Sequence, residues 1–119
     1  MEVILLGHPK STATRAAQRF FSERRVEYHD RDLRKRGPSP RELRRWVDRF
    51  GVDAVIDETS KSYVDQGLAY LSLDTDGWLE RLAADPTLLR LPLVRCGDVL
   101  AVGHDPEGWQ RIADAAAGS

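Results

Sequence analysis

Val3-Ile4-Leu5-Leu6-Gly7-His8-Pro9-Lys10-Ser11-Thr12-Ala13-Thr14-Arg15 decides the fold class. Its first four residues form a continuous apolar run, which predicts a short buried strand. Gly7-His8-Pro9 breaks that run into a loop. Ser11 then stands where a helix N-cap belongs, with a hydroxyl able to accept from a free N–H of the first turn. Beyond it Ala13, Ala16, Ala17, Phe20 and Phe21 recur at helical spacing, which predicts an amphipathic helix over 12–24.

Working outward, Val26 to Leu33 contains Tyr28 and predicts a second strand. Two strands flanking one helix form a parallel pair with a right-handed crossover. Gly37-Pro38-Ser39-Pro40 stops the chain and restarts it. Ser39, Pro40 and Glu42 form a capping-box signature, and Leu43, Trp46, Val47 and Phe50 supply the apolar face of a helix over 40–50. Residues 51–73 read as mixed short helices. A further helix begins near Asp74 or Thr75, carries Trp78, Leu79 and Leu82, and ends before Asp85-Pro86. Leu91 to Val94 and Val99 to Val102 read as an antiparallel hairpin joined by Cys96-Gly97-Asp98. A helix over Pro106 to Ala116, with Trp109, Ile112, Ala113 and Ala116 inward, closes the chain. The expected fold is α/β: a mixed four-stranded sheet with helices on both faces. At 119 residues it reads as one domain, 1–119, with a helical insertion at approximately 51–90.

Composition narrows the function classes. Hydrophobic residues are 41% and charged residues 31%, the balance of a globular chain. Val3 to Leu6 is too short for a membrane span or a signal-peptide core, and Glu2 is the wrong charge for a signal n-region. The expectation is a cytoplasmic protein with no membrane partner. The single cysteine, Cys96, excludes an internal disulfide and an all-cysteine metal site. Four residues past Pro92, it reads as a surface thiol near the hairpin turn. His8, His29 and His104 lack metal-ligand spacing, so no metal is expected. Residues 1–50 carry 13 Lys/Arg against 7 Asp/Glu, whereas residues 51–119 carry 5 against 12. The basic excess lies mainly in 31–49. It reads either as a surface for an anionic partner or as a solvated helix face with interspersed acids such as Asp30, Asp32, Glu42 and Asp48.

The stretch Gly7-His8-Pro9-Lys10-Ser11-Thr12-Ala13-Thr14-Arg15 resembles the active-site loop of the arsenate-reductase (ArsC)/Spx family. There a strand ends in Gly-x-Pro, then Lys or Ser, then Cys-x-x-Cys or Cys-x-x-Ser, then Arg. Asp85-Pro86-Thr87-Leu88-Leu89-Arg90-Leu91-Pro92-Leu93-Val94 is similar to the family's Asn-Pro-x-Leu-Leu-x-Arg-Pro-Ile-Val stretch. Tyr63, Gly67-Leu68 and Val102-Gly103 followed by Glu107 and Trp109 fit the rest of the pattern. The resemblance spans essentially the whole chain and implies a thioredoxin-like fold in which Pro92 is the cis-proline.

The departures matter most for chemistry. Ser11 occupies the catalytic cysteine position and Thr14 the second position of the motif. Thr59 and Leu91 stand where the reductases carry arginines. The family's chemistry runs through a thiolate, partly ionised at a helix N-terminus. A serine hydroxyl is hardly ionised near neutrality and needs an adjacent base. His8 is the only nearby candidate, and no orienting carboxylate is evident. The first reading is therefore a redox-inactive binding or regulatory protein. By analogy with Spx, its partner would be a protein such as RNA polymerase, contacted through the basic 31–49 region. The alternative is an arsenate-reductase-like oxidoreductase that borrows an external thiol such as glutathione. No resident cofactor is expected. A small oxyanion site would draw on Lys10, Ser11, Thr12, Thr14, Arg15 and Arg90. The competing reading makes Ser11 a plain N-cap, leaves Thr14 solvated and pairs Arg15 with a neighbour.

Overall fold

The computed structural model describes residues 2–118. It divides into two compact units. The first runs to Arg36 and resumes at Leu91; the second is Gly37–Arg90.

The first unit holds the sheet. β1 (Val3–Gly7) is followed by α1 (Thr12–Glu23) and β2 (Tyr28–Asp32). After the second unit come β3 (Leu93–Cys96), β4 (Val99–Val102) and a final helix, α6 (Pro106–Ala117). The strand order is β2-β1-β3-β4. β1 and β2 run parallel, with Val3 opposite Tyr28 and Gly7 opposite Asp32. β3 is antiparallel to both β1 and β4. The sheet is thus mixed, as the order of elements predicts. Val3, Leu5, Val94, Cys96 and Ala101 point from it into a core shared with Ala17 and Phe21 of α1 and Trp109, Ile112 and Ala113 of α6. Phe20 joins this layer edge-on, its ring centroid 5.6 Å from that of Trp109.

Two strand starts differ from expectation. β2 starts at Tyr28 rather than Val26, because residues 24–26 are spent closing α1. The Val26 N–H donates to the Phe21 carbonyl at 2.9 Å, and Arg25 takes φ 57°, the left-handed position that usually ends a helix. β3 starts at Leu93 rather than Leu91: the Leu91–Pro92 bond is cis, as the resemblance implies, and the strand begins after it. That shift corrects the placement of Cys96. The thiol is not on a surface turn; it lies in β3 opposite Val3, fully buried. Only Gly97 (φ 59°) and Asp98 make the turn, so Cys96 keeps its place in the pleat on the same face as Val94.

In the second unit α2 (Pro40–Phe50) begins where the sequence places it. The Ser39 Oγ accepts from the Glu42 N–H at 3.0 Å. Gly51 (φ 89°) ends it and α3 (Val52–Val55) follows. α4 (Lys61–Asp65) is capped by Ser60, and Gly67 (φ 63°) turns the chain into a short 3-10 segment, Leu68–Tyr70. α5 (Thr75–Ala84) is capped by Asp74, whose carboxylate accepts from the Gly77 N–H at 2.7 Å. Leu43, Trp46 and Val47 of α2 and Leu79 and Leu82 of α5 are buried where these two helices pack. A bridge between Ile56 and Leu89 ties the residue after α3 to the segment that leaves the unit.

No helix among the described residues is long and apolar enough to cross a membrane.

Candidate functional site

The loop between β1 and α1 is held by its own backbone and by two side chains. The Ser11 N–H donates to the His8 carbonyl at 2.9 Å and the Arg15 N–H to the Ser11 carbonyl at 3.1 Å. Ser11 is extended (φ −78°, ψ 116°), and its Oγ accepts from the Thr14 N–H at 3.1 Å, so it caps α1. The Thr14 Oγ1 in turn accepts from the His8 N–H at 3.4 Å. Thr14 is 1% exposed and its methyl lies against the backbone of Gly7. The expectation of a solvated Thr14 is overturned: the third helical position faces the strand it follows, and Gly7 leaves room for it.

His8 turns its ring back on the loop. The Lys10 N–H donates to His8 Nδ1 at 3.0 Å, which fixes the neutral ring's proton on Nε2. No hydrogen bond joins that ring to Ser11 Oγ, and no carboxylate orients it, among the described residues. A serine without a base stays a weak nucleophile.

What remains open at the loop is cationic. The N–H groups of Thr12 and Ala13, first in the helix, have no partner among the described residues, as is usual for the leading N–H groups of a helix whose cap bonds only the third. Lys10 is exposed and forms no ion pair there. Arg15 is exposed, and its guanidinium makes only a 3.5 Å contact to Thr12 Oγ1. Among the described residues Arg15 is thus not paired with a carboxylate. Arg90 belongs to the second unit. Its N–H donates to the Val55 carbonyl at 2.8 Å and its guanidinium to the Ile56 carbonyl at 3.3 Å. Thr59, at one family arginine position, is turned onto the Asp57 carboxylate.

Beside the loop is a cleft of about 380 Å³ where the parallel strands β1 and β2 end together. Gln18, Asp30, Asp32 and Arg34 line it along with His8 and Arg15. Its charges largely cancel. Arg34 binds Asp32 through Nη2 at 2.7 Å, through Nε at 3.2 Å and through its own N–H at 2.9 Å. Those bonds from Arg34 hold the Asp32 carboxyl down at about 2. The Gln18 amide covers Asp30 at 3.1 Å. Arg15 and Asp30 are left in the cleft as opposite charges, neither in an ion pair among the described residues. The sequence reading treats Asp30 and Asp32 only as interspersed acids. The usable signal was the parallel pairing itself, which sets the end of β2 beside the loop after β1.

Cys96 cannot stand in for the missing sulfur. Opposite Val3, it is four strand residues from the level of Gly7, roughly 13 Å away along the sheet. It is also wholly enclosed. No group of His, Cys, Asp and Glu among the described residues is arranged to hold a metal ion.

The family model described as "ArsC family" matches residues 6–112. The chain is 22% identical over 107 residues to the regulatory protein MgsR of Bacillus subtilis (strain 168), covering 88% of this chain and 85% of that one. Among solved structures it superposes on the YFFB protein with a TM-score of 0.85 at 21% identity, covering 93% and 98% of the two chains. An arsenate reductase from Vibrio cholerae gives 0.83 at 23% identity, covering 94% and 98%. These structural likenesses establish the thioredoxin-like fold.

Proposed function

The chain belongs to the ArsC family, and from that premise we propose that it acts by binding, as a regulatory protein without a catalytic thiol. Its partner on this reading is a protein met through the basic 31–49 region. One observation carries the reading: Ser11 holds the position of the reactive cysteine and caps α1, while the only thiol is buried at the other end of the sheet. Reducing arsenate to arsenite takes two electrons, which the family draws from a thiolate. A serine oxygen can neither ionise appreciably at a helix N-terminus nor cycle to a disulfide. Similarity to MgsR, a regulatory protein by name, supports the same direction.

A second reading has its own support. The unpartnered N–H groups of Thr12 and Ala13, flanked by Lys10 and Arg15, suit a small oxyanion held without chemistry. Ser11 and Thr12 would add hydroxyls. Thr14, being enclosed, drops out of that set. Arg90 drops out because its guanidinium is given to Ile56.

The test is thiol-coupled arsenate reduction with the glutathione–glutaredoxin and thioredoxin systems in turn, on this chain and on Ser11→Cys. We expect this chain to be silent. Turnover above background would overturn the binding reading and favour an enzyme that borrows glutathione or another external thiol. Turnover gained only by Ser11→Cys would support an oxyanion pocket that lacks nothing but sulfur.

A further inference from the structure

α2 turns Leu43, Trp46 and Val47 inward and four arginines outward. One of the four is occupied. The Arg44 guanidinium pairs with Asp76 of α5 and lies 4.0 Å from Asp48. Arg41, Arg45 and Arg49 are exposed and form no ion pair among the described residues. They stand at i, i+4 and i+8. With 1.5 Å of rise per residue, the three side chains leave the helix about 6 Å apart in one slanting row. Such i±4 rows are the ridges by which helices pack on one another.

The row is not neutralised by its own unit. Residues 37–90 hold 10 Asp/Glu against 7 Lys/Arg, yet among the described residues none of these acids forms an ion pair with Arg41, Arg45 or Arg49: Asp48 sits beside Arg44, and Asp76 and Glu80 line the cleft that Arg41 borders. At the end of the row the Arg49 guanidinium lies 5.9 Å from the centre of the Phe50 ring, and Phe50 is 39% exposed. Three unpaired guanidiniums thus end at an exposed aromatic ring.

We propose that this row docks an acidic α-helix of a partner protein. Carboxylates at four-residue spacing on that helix lie along Arg41, Arg45 and Arg49, and an apolar side chain meets Phe50. This rests on the binding reading above and names the chemistry of its partner. Two rows of equal pitch align along their length, and each guanidinium offers a fork that takes a carboxylate with two hydrogen bonds. A nucleic acid fits less well. A duplex carries one charge per about 1.7 Å. Laid on α2, its phosphates would also come within the roughly 8 Å screening length of the unit's excess acids. A short helix need face only the row.

The experiment uses the full chain and two fluorescent helical peptides of about 18 residues. Both have one composition; one carries Glu at i, i+4 and i+8, the other the same Glu residues scattered around the helix. Anisotropy is read at about 20 mM and about 150 mM salt, with duplex and single-stranded oligonucleotides as competitors. The aligned peptide is expected to bind about tenfold tighter than the scattered one and to weaken with salt. The combined Arg41→Gln, Arg45→Gln and Arg49→Gln protein, of unchanged helicity by circular dichroism, is expected to lose that preference. Lys61→Gln, at another exposed cation, is expected to keep it. Equal binding of the two peptides, no binding, a preference that survives the triple substitution, or displacement by an oligonucleotide at equal charge overturns the proposal. So does occupation of the row by a second copy of the chain. Arsenate turnover would sink the binding reading and leave the peptide result standing. A silent chain with no peptide preference would sink this proposal alone.

Discussion

A Cβ on Gly7 would lie 2.3 Å from Thr14 Cγ2, closer than side chains approach one another. The last residue of β1 and the third residue of α1 are thereby locked together. The loop that carries Ser11 is a hydrogen-bonded turn between these two points. Gly7→Ala should destabilise the protein by about 1–3 kcal/mol through overpacking. Urea unfolding should show less of that loss when Thr14→Ser removes the obstructing methyl. Additive losses would mean that this contact is not what forbids a side chain at position 7.

Cys96 should ignore an aromatic disulfide reagent in the folded protein and react fully once denatured. Fast labelling of the native protein would contradict its place in β3. Cys96→Ser should cost about 1–3 kcal/mol, since it puts a hydroxyl among Val3, Val94 and Ala101 without an evident acceptor. Thermal melts of the two proteins would check this.

Asp32 should titrate near 2 in a carboxyl-detected NMR experiment, because Arg34 binds its ionised form. Its folded value lies below the unfolded one of about 3.9. The stabilisation is therefore full above that value and is lost as pH falls toward 2. Arg34→Gln should return the Asp32 midpoint toward 3.8. A midpoint unmoved by that substitution would exclude Arg34 as the cause.

Arg25 holds the left-handed position after α1 with an ordinary side chain. That position costs a non-glycine residue about 1 kcal/mol. Arg25→Gly should thus raise the unfolding midpoint, by up to about 1 kcal/mol of stability. Loss of stability would show that Arg25 earns its place by a contact instead.

Much of the architecture could be read from local chemistry. Ser39-Pro40 followed by Glu42 fixes the start of α2, since a cap, a ring-locked φ and a carboxylate near the N-terminus all favour one place. The apolar run Val3 to Leu6 and the helical spacing through Phe21 likewise speak for themselves. What stayed hidden depends on partners far along the chain. Cys96 looks like turn material until register with Val3 makes it a strand residue. Thr14 looks solvated until Gly7 is seen to receive it. The Asp32–Arg34 pair is hidden for another reason: two residues apart, these side chains meet only because the chain bends sharply after β2. At the loop, the sequence shows which atoms replace the thiol. It also shows Ser11 as an N-cap, and its oxygen does accept from the Thr14 N–H.

The strand order has a further consequence for how the protein behaves when crowded. The sheet's hydrogen-bonded order ends at β2 on one side and β4 on the other. β2 reads Tyr-His-Asp-Arg-Asp, so a foreign strand approaching it must desolvate alternating charges. β4 reads Val-Leu-Ala-Val and carries none. Brevity is its safeguard: four residues give an incoming strand too few ladder bonds to hold. Lengthening β4 by even one hairpin's worth of apolar residues would turn that border into a template for fibrous growth, while the same extension of β2 would not.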